Sequence, residues 1–183
     1  MGATTTTRLR ALAALVGLLA GCGEGRAILN IDILSFFPAG ALDTAYVVPG
    51  GMSASVDLDP IEVSTIELGG STIDSVFVTV AADVENAQGS GTLAFALFFS
   101  DSLASLFDAA NLVASDTAVV NGAQTVAVAP PPFLADAPSV FGTDLLYVGV
   151  RLLGQANAGP ALAGRLRFLE LSARVVVLDD LTP

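Results

Sequence analysis

Apolar and polar residues alternate with a period of two along most of this chain. Between Ala27 and Leu34, the positions Leu29 and Ile31 are apolar, whereas Asn30 and Asp32 are polar. Successive side chains of a strand point to opposite faces of a sheet, so this pattern predicts half-buried strands. The other segments with strand character are, in chain order, 45–48, 53–58, 61–68, 73–84, 93–99, 118–128, 145–153 and 166–178. Nine or ten short strands separated by turns are typical of a sandwich or a barrel.

Three segments predict more specific features. The run Leu93–Phe99, LAFALFF, is apolar at every position and predicts a central strand that is covered on both faces. Asn121-Gly122 lies between two alternating runs within Ala118–Val128, which is the strongest sequence pattern for a type I′ β-hairpin. Pro49-Gly50-Gly51 predicts a second, hairpin-like turn.

The alternation stops in two places. Leu103, Leu106, Phe107, Ala110 and Val113 fall at helical spacing, which predicts either a short helix or an irregular crossover near 102–114. The stretch 129–142 contains four prolines and is predicted to be a loop, since proline donates no ladder hydrogen bond.

These patterns favour an all-β fold for a single domain over residues 27–183. We expect a two-sheet antiparallel β-sandwich, immunoglobulin-like or jelly-roll in style, with at most one short helix near 102–114. The full sequence is 53% hydrophobic and 14% charged, which is enough apolar material for a sizeable core.

The first residues of the chain have a different character. Arg8 and Arg10 supply two positive charges, and Ala11–Ala20 follows as a short run without charge. A cationic start, a short apolar run and small residues are the pattern of a secretory signal peptide. The run is too short to be read as a membrane-spanning helix, which needs about 20 apolar residues.

Leu19-Ala20-Gly21-Cys22 completes that pattern and contains the only cysteine of the chain. It resembles the lipobox of bacterial lipoproteins. The resemblance implies removal of residues 1–21, a diacylglycerol on the Cys22 sulfur and an N-acyl chain such as palmitate on the new amino terminus. Residues 22–26 then form the lipidated cysteine and a short tether. The alternative is a plain signal peptide with an incidental cysteine.

The resemblance also implies a location in the cell envelope, anchored to a membrane by lipid. Gly23, rather than aspartate, follows the cysteine, which in this family points to the outer rather than the inner membrane. Two or more acyl chains hold a protein stably at a membrane. The tether reaches only about 15 Å at roughly 3.3–3.6 Å per residue, so the domain is expected to stay close to the bilayer.

Charge and residue usage exclude several function classes. The segment after the signal peptide carries five arginines against all eighteen acidic residues, and it has neither lysine nor histidine. Such an acidic surface repels nucleic acid and anionic lipid head groups alike, so attachment to a membrane is expected to come from the lipid anchor. Without histidine, lysine or a free thiol there is no Ser-His-Asp or Ser-Lys site and no thiolate nucleophile. We therefore expect no enzyme, no disulfide within the domain and no cofactor apart from the lipid.

One cation site is a candidate. Asp57, Asp59 and Glu62 supply three carboxylates near a turn, and oxygen ligands of this kind suit calcium. The segment has neither the glycine nor the length of an EF-hand loop. Solvated turn acids are the alternative interpretation.

The remaining charged and aromatic residues leave further alternatives open. Arg165 and Arg167 share one face of the predicted last strand, where they pair with acids across the sheet or form a cationic strip. Phe36-Phe37 and Phe98-Phe99 either fill the core or line an apolar cleft.

The sequence thus favours a lipid-anchored, non-catalytic envelope module with a structural, adhesive or assembly role and an envelope protein as its partner. A carrier of a small apolar ligand is the alternative. A glycoside hydrolase is the second alternative, and it requires two facing carboxyl groups about 5–10 Å apart.

Overall fold

Eleven β-strands make up most of the chain in the computed structural model, which describes residues 25–38, 40–41, 43–64, 72–135, 140–141, 143 and 145–179. The strands are β1 (Gly25–Asp32), β2 (Asp43–Val48), β3 (Ser53–Asp57), β4 (Ile61–Ser64), β5 (Thr72–Gln88), β6 (Ser90–Ser100), β7 (Leu112–Asn121), β8 (Gln124–Val128), β9 (Phe133–Leu134), β10 (Leu145–Ala156) and β11 (Leu162–Asp179). Single 3₁₀ turns occupy Ile33–Phe36, Leu103–Ser105 and Ala109–Asn111. Within these ranges no helix has the length and hydropathy that crossing a membrane requires.

The strands form two antiparallel sheets that pack face to face, which confirms the predicted all-β sandwich. In the β5–β11 sheet, β1 and β2 pair with one edge of β11, and β8 and β9 pair with the outer edge of β5. In the β6–β10 sheet, β3 and β4 pair with β10, and β7 pairs with β6. Each sheet thus has four strand positions. The chain changes sheet six times, between β2 and β3, β4 and β5, β5 and β6, β7 and β8, β9 and β10, and β10 and β11. This order is that of a jelly roll.

The core lies between the two sheets and consists of the inward rows of the four long strands. Val76, Val78 and Val80 of β5 are at most 1% exposed, and Leu97 of β6 and Val148 of β10 face them across the sandwich. The rings of Phe95 and Phe168 join the two sheets edge to face, with their centroids 5.5 Å apart. Each fully buried side chain of this size stabilises the fold by roughly 1.5–3 kcal/mol, so packing holds the sandwich together.

Strand β6 is buried on both faces, as the LAFALFF run predicts. Its inward residues belong to the main core, and the outward residues Ala96 and Phe98 lie beneath Leu106 and Phe107 of the 101–111 connection. The predicted helix near 102–114 does not form, because this connection is the irregular alternative, with two 3₁₀ turns before β7 starts at Leu112. Its apolar residues pack onto the outside of the sheet, where a Cβ atom on Gly149 would lie only 2.8 Å from Leu106 Cδ2.

Both predicted hairpins are wrong. The strands before and after Asn121-Gly122 belong to opposite sheets, because β7 pairs with β6 and β8 pairs with β5. Gly122 has a φ of 72°, and no non-glycine residue in the described ranges has a positive φ, so the type I′ turn is absent. Pro49-Gly50-Gly51 likewise leads from one sheet to the other. Pairing with the long central strands buries both flanking runs in the shared core, and a local hairpin would leave one of them out.

Candidate functional site

The two ends of the sandwich differ. Gly25 opens β1 opposite Asp179 of β11, and Thr72 opens β5 opposite Leu178. We call this the anchor end because Cys22, the lipidation site predicted from the sequence, precedes Gly25 by three residues. The opposite end is the crossover end, where four of the six passages lie, namely those between β2 and β3, β5 and β6, β7 and β8, and β10 and β11. Cys22 itself lies outside the described residues.

The start of the folded domain differs slightly from its predicted position. Strand β1 begins at Gly25 rather than Ala27, so Arg26 is paired within the sheet and does not belong to the tether. Only Gly23 and Glu24 then remain between Cys22 and the first strand.

The three predicted calcium ligands do not form a cluster. Asp57 ends β3, Asp59 lies in the connection that follows, and Glu62 lies on β4 opposite Tyr147. Asp57 is held by Arg151, whose Nε lies 2.5 Å from Oδ1 and whose Nη2 lies 3.0 Å from Oδ2. No three His, Cys, Asp or Glu side chains of the described ranges lie close enough together to hold a metal ion. The calcium prediction therefore finds no support in this geometry.

Arg151 instead fastens a connection to the β6–β10 sheet. Its guanidinium carbon lies 4.8 Å from the ring centroid of Phe107 and 5.4 Å from that of Phe98. The hydrogen bonds to Asp57 raise the pKa of Arg151 above its usual value, so the group stays charged. A bidentate carboxylate and two aromatic faces together satisfy a guanidinium well. This cluster supports the 101–111 connection from beneath. The charges of Arg151 and Asp57 neutralise each other, so neither group is available for catalysis.

Most other arginines lie on the outer face of the β5–β11 sheet. Arg165 Nε donates to Asp43 Oδ1 at 2.8 Å, which fits the predicted pairing of this arginine with an acid across the sheet. Arg26 Nη2 lies 3.4 Å from Asp74 Oδ2. The side chains of both pairs are at least 38% exposed, and exposed ion pairs of this kind contribute only about 0–1 kcal/mol.

A row of side chains crosses the same face in the half nearer the anchor end. Asn30, Arg174, Phe77 and Leu134 lie directly opposite one another on β1, β11, β5 and β9. Phe77 is 37% exposed and Leu134 is 58% exposed, and Ile28, one step nearer the anchor end, is 48% exposed. We call these five residues the Arg174 patch. In the described part of the chain Arg174 has no acidic partner within salt-bridge distance.

Three cavities lined by described residues bear on the ligand hypotheses. An open groove of about 460 Å³ lies on the outer face of the β6–β10 sheet, with Ser55, Thr92, Thr117 and Gln155 among its lining residues. A second of about 470 Å³ lies beside the β1–β2 connection and has Asp43 as its single carboxylate. The slit that enters between the sheets beside β2 and β3 measures only about 80 Å³. None of these three cavities contains two facing carboxylates.

Sequence reasoning missed the buried polar centre of the crossover end. Asn86, 4% exposed, donates through Nδ2 to the carbonyls of Gly89 and Gly122 at 3.1 and 2.7 Å. Its Oδ1 accepts the Tyr46 hydroxyl at 3.0 Å. The pattern contained a hint, because Asn86 continues the inward row of Val76 to Val84 on β5 and is the one polar residue there.

Comparisons with known proteins give little to add to this description. No protein-family model matches the chain, and no curated protein does so either. Among solved structures, that of the infectious bursal disease virus Gx strain matches with a TM-score of 0.49 and 9% identity, covering 86% of this chain and 38% of the viral chain. The structure of the Gt strain of the same virus matches with a TM-score of 0.45 and 13% identity, covering 84% and 36%.

A further match is TmCBM61 in complex with β-1,4-galactotriose, with a TM-score of 0.28, 10% identity, and coverage of 81% of this chain and 89% of that one. Of the two viral chains, this chain covers well under half of the length. Likeness at these levels carries no information about function.

Proposed function

We propose that this chain is a bacterial lipoprotein whose β-sandwich serves as a non-catalytic structural, adhesive or assembly module of the cell envelope. The observation that carries the proposal is Leu19-Ala20-Gly21-Cys22, preceded by the two arginines and the apolar run of a signal peptide. Cys22 receives a diacylglycerol and an N-acyl chain, and Gly23 directs the protein to the outer membrane.

The short tether supports a role exercised at the membrane surface. Gly23 and Glu24 separate Cys22 from β1, and three Cα–Cα steps of about 3.6 Å reach about 11 Å. A domain held this closely acts on the bilayer itself or on partners that come to it. An envelope protein is the expected partner.

A non-catalytic role agrees with the chemistry of the side chains. The chain has no lysine and no histidine, and its single cysteine is assigned to the anchor. The guanidinium of Arg151 and the carboxylate of Asp57 satisfy each other, and the three cavities described above hold no pair of facing carboxylates. These features support a non-catalytic role, since histidine, lysine and a free thiol are the commonest general bases and nucleophiles besides carboxylates.

The carrier alternative is the weaker one on geometric grounds. Ligand sites generally occupy about 300–1,000 Å³, and the slit between the sheets measures about 80 Å³. Organic extraction of the protein purified from envelopes tests this alternative, because a carrier releases a stoichiometric apolar molecule. The structural module that we propose releases no such molecule beyond membrane phospholipid.

The test of the anchor uses the full chain expressed in a bacterial host. With a clickable palmitate analogue in the medium, the wild-type protein is expected to incorporate label and to float with membranes in a density gradient. Cys22→Ala is expected to lose the label and to remain in the aqueous fraction. An unlabelled wild-type protein with a free Cys22 thiol by intact mass overturns the proposal.

A further inference from the structure

The position of the anchor limits which surfaces reach the bilayer. Cys22 is about 11 Å at most from Gly25, and Gly25 lies at the start of an edge strand of the β5–β11 sheet. The part of the molecule nearest the bilayer is therefore the anchor-end half of this sheet. Its outer face carries the Arg174 patch.

The Arg174 patch has the composition of a surface that lies on a membrane. Ile28, Phe77 and Leu134 expose between 37% and 58% of their surfaces on one face. Val176 lies between Ile28 and Ser75 in the next row and is only 6% exposed, so its neighbours cover it and the exposed apolar surface comes from Ile28, Phe77 and Leu134. The Arg174 side chain is exposed among them, and a long cationic side chain can lie along apolar surface while its head contacts a lipid phosphate.

Charge distinguishes this face from the opposite one. The described strands and connections of the β5–β11 sheet carry four arginines, Arg26, Arg165, Arg167 and Arg174, against seven acidic residues, a formal charge of 4 − 7 = −3. These acids are Asp32, Asp43, Asp74, Asp83, Glu85, Glu170 and Asp179. Those of the β6–β10 sheet carry Arg151 alone, against six acidic residues: Asp57, Asp59, Glu62, Asp101, Asp108 and Asp116. An anionic bilayer thus repels the β6–β10 side more strongly.

We propose that the outer face of the β5–β11 sheet lies on the bilayer that holds the anchor, with the Arg174 patch in contact with anionic phospholipid. This inference rests on the proposed lipidation of Cys22. The tether keeps the patch at high local concentration beside the membrane, so the contact needs little intrinsic affinity. In this orientation the outer face of the β6–β10 sheet, with its groove lined by hydroxyl side chains, points away from the bilayer toward protein partners.

The orientation is tested with the lipidated full chain in vesicles of phosphatidylethanolamine and phosphatidylglycerol. Because the lipid occupies Cys22, an introduced cysteine is the only free thiol and takes a polarity-sensitive fluorophore. Leu134→Cys reports on the Arg174 patch, and Thr117→Cys, in the groove of the other sheet, is the control. We expect a blue-shifted emission and strong quenching by a lipid-borne quencher at position 134, and neither effect at position 117. Equal responses at the two positions overturn the proposal.

A second pair of variants tests the role of charge. Arg174→Gln in the Leu134→Cys background is expected to reduce quenching several-fold in anionic vesicles. Arg167→Gln, on the same strand and face but nearer the crossover end, is expected to leave it unchanged. Wild-type behaviour of Arg174→Gln contradicts the proposed contact with anionic lipid. A blue shift that persists in detergent and vanishes on dilution identifies a second copy of the chain as the occupant and also overturns it.

The two proposals fail in different ways. An intact mass without acyl chains refutes the anchor before any vesicle is prepared. An acylated protein whose positions 134 and 117 respond alike keeps its anchor and loses only the orientation proposed here.

Discussion

Tyr46 and Asn86 form a hydrogen bond of 3.0 Å between the phenolic hydroxyl and Oδ1, buried beneath the crossover end. Tyr46 lies on β2 and Asn86 on β5, so the bond spans β11, which separates these two strands. Through its amide nitrogen Asn86 also holds the carbonyls of Gly89 and Gly122, where the chain passes from one sheet to the other. The Asn86 side chain thus connects the β5–β6 and β7–β8 passages to β2, at the edge of the β5–β11 sheet.

Replacing Asn86 is expected to be among the more destabilising single changes. Asn86→Ala removes the side-chain donor from the Gly122 carbonyl and the acceptor from the Tyr46 hydroxyl, and each such group costs about 1–3 kcal/mol. The Gly89 carbonyl keeps the hydrogen bond from the Gly122 backbone N–H at 2.9 Å. We expect a loss of about 2–4 kcal/mol in the free energy of unfolding, measured by urea denaturation. Asn30→Ala, at an exposed site on β1, is the control and should change it by less than about 0.5 kcal/mol. Equal losses for the two variants contradict the role given to Asn86.

Stability at alkaline pH should depend on Tyr46. Burial raises the pKa of Tyr46 from its ordinary value of 10.0 to about 12. Between these values the folded state keeps a proton that the unfolded state releases, so unfolding becomes easier as pH rises. The contribution of the protonated phenol is complete below pH 10 and is lost progressively toward pH 12. The chain has no lysine to titrate in the same window.

The measurement is the free energy of unfolding at several pH values through this window. The wild type is expected to have a larger free energy of unfolding than Tyr46→Phe, and this difference is expected to shrink as the pH approaches 12. Ser100→Ala serves as the control, since it removes a buried hydroxyl that does not titrate. Its loss in free energy of unfolding relative to the wild type should not change with pH. A Tyr46→Phe deficit that is independent of pH contradicts the prediction.

Two glycines of the crossover end should respond very differently to alanine. Gly89 and Gly122 have similar positive φ values, 76° and 72°. A Cβ atom on Gly89 would lie 2.3 Å from the Ala161 carbonyl oxygen, whereas one on Gly122 meets nothing within 4 Å. Gly122→Ala therefore costs only the conformational penalty of about 1–2 kcal/mol.

Gly89→Ala must in addition displace backbone, which adds roughly 1–3 kcal/mol or prevents folding. Thermal melting of both variants gives the comparison. A smaller loss for Gly89→Ala than for Gly122→Ala would mean that the two backbone segments do not approach as closely as described.

Arg151 should control the mobility of the 101–111 connection. Lysine cannot reproduce the two-pronged contact with Asp57 or the stacking on Phe107, so Arg151→Lys is expected to cost about 1–2 kcal/mol. Hydrogen exchange in residues 101–111 should accelerate in this variant. Arg165→Lys, which alters an exposed pair, should change neither quantity measurably. Unaltered hydrogen exchange of residues 101–111 in Arg151→Lys contradicts the supporting role given to Arg151.

Calcium is expected to leave the melting temperature unchanged. Asp57 is already engaged by Arg151, and its release would break a bidentate pair to form a site for which the described residues provide no cluster. Differential scanning calorimetry with millimolar calcium, compared with magnesium as the control for ionic strength, provides the check. A rise in the midpoint with calcium alone restores Asp57, Asp59 and Glu62 as candidate ligands.

What the sequence by itself determined is local. The alternation of apolar and polar residues indicated which residues of β5 face the core. The uninterrupted apolar run of β6 indicated that both faces of this strand are buried. These properties depend only on the direction of neighbouring side chains, which a strand sets residue by residue. The proposed signal peptide and lipobox are likewise contiguous stretches of sequence.

Only the tertiary structure decided which strands are neighbours. Asn121-Gly122 has the composition of a hairpin turn, yet the flanking strands pair with β6 and β5 because burial in a shared core outweighs a local turn preference. Asp57 finds its partner 94 residues away at Arg151, and Tyr46 lies 40 residues before Asn86. Such contacts are set by the closure of two sheets on one core, and no short window of sequence contains both partners.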